Sequence, residues 1–396
     1  MTTAASEVSR PDWANPPFAL TLFPIAFYAM SFGHLIKLSL FGESHGPAVG
    51  CVLDAPPPGY SLDLEALARH MARRAPGQAG PWSTSRKEAD AFEIVSGFYQ
   101  GKTTGTPLAA VIRNTNTRSG DYANLAVVPR PGHADLTGRI RYKGANDPNG
   151  GGHFSGRVTA PLTFAGGVAL QILATFGIEI HARIVEIGGI EDRTEISPLQ
   201  GLPDISSRPF PVLDEAVGTQ IVAAIDAARR SLDSLGGVIE VRATGVPAGV
   251  GSPFFNRVES RLGAMFFSIN AVRGVTFGDG FAASRSRGSL NNDPPTPSPD
   301  GSLAHIGRTS NHAGGAEGGI STGLPIIARL AFKPTPSILQ EQQSVNLETN
   351  EKTPLSVRGR HDPCIVVRAV PVVESAMAFA LLDLMLEHGC FPMTPA

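Results

Sequence analysis

The sequence predicts an α/β fold. Runs that alternate apolar and polar letters, helices with a single apolar stripe, and one helix apolar almost all round are mixed along a chain of 396 residues. His34 to Leu40 is of the first kind, Leu64 to Met71 of the second and Thr159 to Phe176 of the third. A helix with no polar face belongs in a core.

The elements follow in order. After the strand from His34, the bend Gly42-Glu43-Ser44-His45-Gly46-Pro47 leads to a second apolar run, Val49 to Leu53. The two read as a hairpin with an unusually polar tip. A helix comes next, with Ser61 as its N-cap, Leu64, Leu67, Ala68 and Met71 as its stripe, and Pro76-Gly77 as its stop. Strands are expected at Ala91 to Gly97, Leu108 to Arg113, Ile178 to Ile187, Gly237 to Thr244 and Pro325 to Phe332. Helices are expected at Asp214 to Leu232, Phe255 to Phe267 and Val373 to His388. Three stretches lack periodicity: Thr115 to Gly152, Phe281 to Gly323 and Ser337 to Pro363. Loops of that length are functional or disordered. The first two, rich in Gly, His, Arg, Asn and Asp, read as active-site loops. Asp293 to Asp300, with its repeated prolines, reads as mobile.

Composition narrows the function. Hydrophobic residues make up 42% of the chain, enough for a large core, and the formal net charge is -2. A nucleic-acid binder carries a basic excess, so none is expected as a partner. Cys51, Cys364 and Cys390 match neither a zinc spacing nor a disulfide framework, which suits a reducing cytoplasm. The apolar stretch Phe18 to Tyr28 falls short of the about 20 residues that span a bilayer. Residues 1–29 are therefore expected to be an unstructured extension or mistranslated upstream sequence. Residues 30–390 then form one domain and 391–396 a tail, with no membrane partner.

Five loops carry polar chemistry. Ser44-His45 sits in the Gly-flanked bend, where a histidine serves either proton transfer or backbone capping. Arg130-Pro131-Gly132-His133-Ala134-Asp135 puts a second histidine between an arginine and an aspartate. Gly150-Gly151-Gly152-His153-Phe154-Ser155-Gly156-Arg157 runs into a helix, as an anion site or as a structural turn. Asn311 to Gly323 holds two glycine doublets and is followed by Lys333-Pro334-Thr335-Pro336-Ser337, whose lysine and hydroxyls suit a phosphate. Gly359-Arg360-His361-Asp362-Pro363-Cys364 is the fifth. On residues alone, this is an α/β enzyme of polyanionic ligands with histidines near the chemistry. No Walker A loop, Rossmann fingerprint or nucleophile elbow is among its motifs.

These loops, in this order, resemble the chorismate synthase family. Arg73-Arg74-Ala75-Pro76-Gly77, Ser96 to Thr106 and Ser268-Ile269-Asn270-Ala271-Val272 strengthen the resemblance, which runs from about Ser31 to about His388. It implies a β-α-β sandwich with helices between antiparallel-rich sheets, assembled as a homotetramer. It also implies the reaction, a 1,4-anti elimination of phosphate from 5-enolpyruvylshikimate-3-phosphate that gives chorismate and needs reduced FMN without net redox change. By the same resemblance His45 protonates the leaving phosphate and His133 holds the proton balance of the flavin. Asp362 assists deprotonation, and Ser44 and Ser155 bridge these groups. The implied flavin contacts are His153, Phe154, Ser155, Asn270, Ala271, Gly318, Lys333, Pro334, Thr335, Pro336, Ser337 and Arg360. Arg74 and Arg130 are implied for the phosphorylated substrate or NADP. Arg73, Arg74, Arg130, Arg157, Lys333 and Arg360 supply a basic pocket within a near-neutral chain.

Some positions depart from the family pattern. His153-Phe154-Ser155-Gly156 replaces a common Arg-Ser-Ser-Ala, and Asn149 and Gly80 replace arginines. Leu290 replaces a polar residue. The missing arginine at Gly80 weakens a nicotinamide nucleotide site, and with it flavin reduction by this chain itself. The competing class is a non-catalytic flavin-binding protein on the same scaffold, against which His45, His133 and Asp362 together argue. A chain begun at Met30 is expected to keep full turnover and normal assembly. Activity assays and size-exclusion chromatography check this; a drop to monomers would make residues 1–29 a structural arm.

Overall fold

The computed structural model describes residues 30–77, 80–83, 88–115, 125–357 and 361–390. The expected extension and tail lie outside them.

Two five-stranded sheets frame the molecule. The first holds β1 (Ser31–Phe32), β2 (Lys37–Gly42), β3 (Ala48–Asp54), β4 (Phe92–Ser96) and β5 (Leu108–Arg113), ordered β1-β2-β3-β5-β4. The second holds β6 (Glu179–Ile187), β7 (Ile190–Glu191), β8 (Gly237–Thr244), β9 (Val272–Phe277) and β10 (Ile326–Phe332), ordered β9-β10-β8-β6-β7. Every neighbouring pair is antiparallel. The helices are α1 (Leu64–Arg74), α2 (Asp135–Arg141), α3 (Thr159–Ala174), α4 (Glu215–Arg230), α5 (Val258–Ser268), α6 (Gly288–Asn291) and α7 (Val366–Glu387).

The helices α3 and α7 pack along each other, α3 against β3 and β5 and α7 against β6 and β8. The result is the β-α-β sandwich, with helices between antiparallel sheets. Gly166 allows the close approach, since a Cβ there would lie 2.2 Å from the Cβ of Ser375. In α7 every residue but Arg368 and Glu387 is buried. The segment Gly156–Ala174 and α7 are long and apolar enough to cross a bilayer, yet 78% and 100% of those windows are buried within the protein. Their apolarity belongs to the core.

Buried acids in α7 tie distant parts of the chain together. The Asp383 carboxylate accepts from the backbone N–H of His34, Leu35 and Ile36 at 2.8, 2.9 and 3.0 Å, and from the Arg261 guanidinium. Glu374 accepts from Arg73 at 2.6 and 3.0 Å and from the N–H of Ala182 at 3.2 Å. Arg73 is thereby turned into the sandwich and does not line the cleft described below, contrary to its inclusion among the pocket cations.

Several boundaries differ from expectation for clear reasons. The first long strand begins at Lys37 rather than His34, because the amides before it serve Asp383. The cap of α1 is Asp63, whose carboxylate takes the N–H groups of Glu65 and Ala66 at 2.9 Å each, while Ser61 bridges to Lys102. The helix expected from Phe255 begins at Val258. The last helix begins at Val366, ahead of Pro371. An interior proline costs about 3 kcal/mol, but Val366, Val367, Ala369, Val370 and Val372 are all buried around it. The stretch Ser337 to Pro363 is not a plain loop: β11 (Gln342–Asn346) and β12 (Glu351–Leu355) pair there. The stretch Thr115 to Gly152 likewise contains α2. At Asp293 the proline-rich segment is tied by Ser310, His312 and Ala313 at 2.6, 2.8 and 2.9 Å.

Asp383→Asn is expected to destabilise the fold by roughly 3 kcal/mol, since it removes the charge that answers a buried guanidinium. Urea unfolding measures this; a midpoint equal to wild type would refute the tie.

Candidate functional site

One cleft of about 710 Å³ gathers most of the polar loops. Of the residues expected at the site, Ser44, His45, Arg74, Arg130, His133, Phe154, Ser155, Asn270, Ala271, Lys333, Thr335, Pro336, Ser337 and Asp362 line it. His153, Pro334 and Gly318 do not. His153 Nδ1–H donates to the carbonyl of Gly42 at 2.9 Å and so fastens the glycine loop to the hairpin. Gly318 lies in the turn between Ala316–Glu317 and Ile320–Ser321. Arg360 is outside the described residues.

The glycine loop sets the spacing of the two histidines. Gly150, Gly151 and Gly152 all have left-handed backbone, with φ of 59°, 87° and 53°. A Cβ on Gly150 would lie 2.6 Å from the His45 ring, and one on Gly151 would lie 2.8 Å from the His133 ring. The bare backbone thus fills the space beside each imidazole. Ser44 is buried against the same loop: its N–H donates to Gly152 O at 3.2 Å and its hydroxyl to Asn149 O at 3.2 Å. The anion-site reading of these glycines gives way to a packing role.

His133 is oriented by charge. Its Nδ1 lies 2.6 Å from Asp135 Oδ1 and 3.1 Å from Arg130 Nη2; the shorter contact assigns Nδ1–H as donor to the carboxylate, which leaves Nε2 unengaged by Asp135. Arg130 grips the same carboxylate at 2.8 Å from both Nε and Nη2, and donates to the Ser337 hydroxyl at 2.9 Å. Burial works against the charge of Asp135, but hydrogen bonds from Arg130 and His133 outweigh it and hold the carboxyl well below its ordinary range. Behind this loop the hairpin β11–β12 supports residues 125–130. Leu355 and Val357 pack on Leu125 and Val128, and the Ser344 hydroxyl donates to Pro129 O at 2.5 Å.

On the opposite wall Asp90 is buried between two arginines. Arg74 donates to it at 2.5 Å, to Thr159 at 3.1 Å and to Gly156 O at 3.0 Å. Arg157 donates to Asp90, and to Asn114 at 2.8 Å. Burial opposes the charge on Asp90, yet Arg74 and then Arg157 hold its carboxyl below the ordinary value. Desolvation, opposed by Asp90, brings the Arg74 guanidinium down to about 10. Both arginines spend their donors within the protein, so they shape the wall. Arg368, which lines the cleft from α7 together with Ala369 and Val372, donates to Asp362 and to Arg74 O at 2.9 Å, and so aims Asp362. Ser155 caps the following turn by accepting from Arg157 N–H at 3.3 Å, and Asn270 donates to Phe154 O at 3.0 Å.

Sequence reasoning passed over Phe267, Arg273 and Arg368, which also line the cleft. Arg368 was hidden by the misplaced helix start. Arg273 directly follows the Ser268 to Val272 motif, and that adjacency was the available signal. At Gly80, φ is 143° and a Cβ would meet the Trp82 ring at 2.3 Å, so no side chain fits there without moving Trp82.

Fold and cleft define a two-sheet α/β protein that brings arginines, a lysine and titratable side chains to one small-molecule site. The family model described as chorismate synthase matches residues 36–386. A chorismate synthase of Korarchaeum cryptofilum is 46% identical over 353 residues, covering 89% of this chain and 96% of the relative. One of Rhodospirillum rubrum is 45% identical, covering 90% and 96%. A solved structure, described as a crystal structure of chorismate synthase, is 30% identical with a TM-score of 0.67 over 90% of this chain and 93% of that one. The chain belongs to the chorismate synthase family.

Gly150→Ala and Gly151→Ala are each expected to cost about 1–2 kcal/mol from left-handed backbone alone. Turnover should fall further than stability, because the added methyl displaces an imidazole. Thermal melts beside activity assays test this; equal, small losses in both would contradict it.

Proposed function

We propose that the chain is a carbon–oxygen lyase that removes phosphate from 5-enolpyruvylshikimate-3-phosphate by 1,4-anti elimination, giving chorismate, with reduced FMN as cofactor. The observation that carries this reading is the convergence of His45, His133 and Asp362 on one cleft whose rim holds Lys333 and Arg273. A module that only binds flavin has no use for that trio.

The cleft suits the cofactor. Lys333, Thr335, Pro336 and Ser337 run along one side, and the buried Thr335 Oγ1 has no hydrogen-bond partner among the described residues, a need that a phosphate ester would meet. Asn270, Ala271, Phe154 and Ser155 border the remaining surface. Reduced FMN supplies an electron-rich ring that eases departure of an allylic phosphate.

The chain's own residues handle the protons and charges. His45, seated beside Gly150, gives a proton to the leaving phosphate oxygen. His133 keeps its Nε2 available because Asp135 holds Nδ1–H. Asp362, fixed by Arg368, is the carboxylate that assists removal of the substrate proton. Arg130 steadies Asp135 and Ser337 together, so it links the histidine to the phosphate side of the cleft. Ser44 holds the hairpin tip against the glycine loop. Arg74 is proposed to act on substrate or NADP only through the wall it builds with Asp90.

The reading includes a cytoplasmic homotetramer. Phe254, Phe255 and Phe281 are 78%, 91% and 79% exposed, as an assembly surface would require.

His45→Ala and His133→Ala are each expected to lower turnover by about 10²–10⁴-fold while FMN still binds. The assay is anaerobic chorismate formation with chemically reduced FMN. Near-normal rates in both variants would overturn the assignment, and absence of product from the wild type would overturn the reaction.

A further inference from the structure

The rim of the cleft carries two cations that the ion pairs among the described residues leave over. Among the described residues, acids lining the cleft are Glu88 and Asp362, and each faces an arginine: Arg157 at 3.5 Å and Arg368. Arg130 is answered by Asp135, and Arg74 by Asp90. Arg273 and Lys333 have no acidic partner among the described residues. Among the described residues the Lys333 ammonium donates only to the carbonyl of Gly132.

Backbone irregularity puts Arg273 at this rim. Ala271 has a φ of 71°, left-handed for a residue with a side chain. Along β9, Val272 pairs with Phe332 and Gly274 with Ala331, so Arg273 is the extra residue of a bulge. Bulges re-aim a side chain and are kept where that matters. The residue after Phe332 on the neighbouring strand is Lys333, whose N–H donates to Ala271 O at 3.0 Å. The two cations therefore stand at the ends of adjacent strands. Burial first, and then the field of Arg273, lowers the Lys333 ammonium from its ordinary value. Like charges held together without a counter-ion repel, and a bound dianion would relieve that cost.

We propose that Arg273 and Lys333 form a two-cation subsite for a phosphate monoester dianion, with Arg273 a binding residue for the phosphate of the flavin or of the substrate. This rests on the function proposed above. Because Arg273 is exposed and borders no ion pair among the described residues, its substitution is expected to leave the fold intact.

The test uses the full chain and Arg273→Ala, Arg273→Lys and Arg273→Glu. Oxidised FMN and riboflavin, which lacks the phosphate, are titrated by flavin fluorescence at low and high salt. KM for 5-enolpyruvylshikimate-3-phosphate is measured anaerobically. The alanine variant should weaken one phosphate-bearing ligand by about 10-fold or more. Lysine should restore most of that and glutamate should worsen it. A loss for FMN but not riboflavin, with a shallower salt dependence, assigns the flavin phosphate. A raised KM with FMN binding intact assigns the substrate phosphate. FMN affinity and KM both within about twofold of wild type would overturn the subsite, as would equal losses for FMN and riboflavin. If the wild type binds FMN but makes no chorismate, the reaction falls while the FMN–riboflavin contrast still decides the subsite.

Discussion

The cleft is built around backbone that no side chain could accompany. Gly150 and Gly151 lie against the rings of His45 and His133, and their left-handed conformations turn the chain sharply enough to do both within two residues. Two further contacts hold that backbone. His153 fastens it to Gly42, and Ser44 fastens it from the hairpin side. The hairpin tip and the Arg130 loop, far apart in sequence, thereby share one spacer. Their histidines cannot drift together or apart without disturbing it.

Charge around the cleft is graded by depth. The deepest cations, Arg74 and Arg157, are matched by Asp90 and Glu88 and behave as masonry. Arg130 is buried as deeply, matched by Asp135 and also in touch with Ser337. Lys333 and Arg273, nearest the solvent, are unmatched among the described residues. A dianionic ligand entering such a gradient meets its free countercharges first and rigid neutral pairs behind them. This is also why a formal net charge of -2 misleads about the site: most of the acids in the cleft are already committed.

Much of the fold was legible because it rests on periodicity. Strands such as Gly237–Thr244 and Leu108–Arg113 show their apolar letters plainly, and the Asp214 cap of α4 is a local signal. What escaped rests on distant partners. The strand expected from His34 is cut short by a carboxylate at Asp383, near the other end of the described chain. The start of α7 was obscured by Pro371, whose cost is met by burial that no local window reveals. The hairpin β11–β12 is polar on most positions, so alternation was invisible there. The site motifs were legible as a set, yet their division of labour was not. Arg73 and Arg74 are adjacent letters, and one faces Glu374 in the core while the other faces Asp90 at the wall. Only the helical turn separating their directions distinguishes them.

The position of α7 has a bearing on how the chain is made. It is the helix on which both α3 and the second sheet pack, and it follows every strand of both sheets in sequence. Its carboxylates close contacts to His34, Arg73 and Ala182, all translated long before. A nascent chain at the ribosome can pair its strands early and lay α3 on β3 and β5, but the inner face of β6 and β8 stays wet until α7 emerges. Folding is then completed in one late step, and a chain released before that helix would present the inner face of the second sheet and the bare side of α3 to its neighbours.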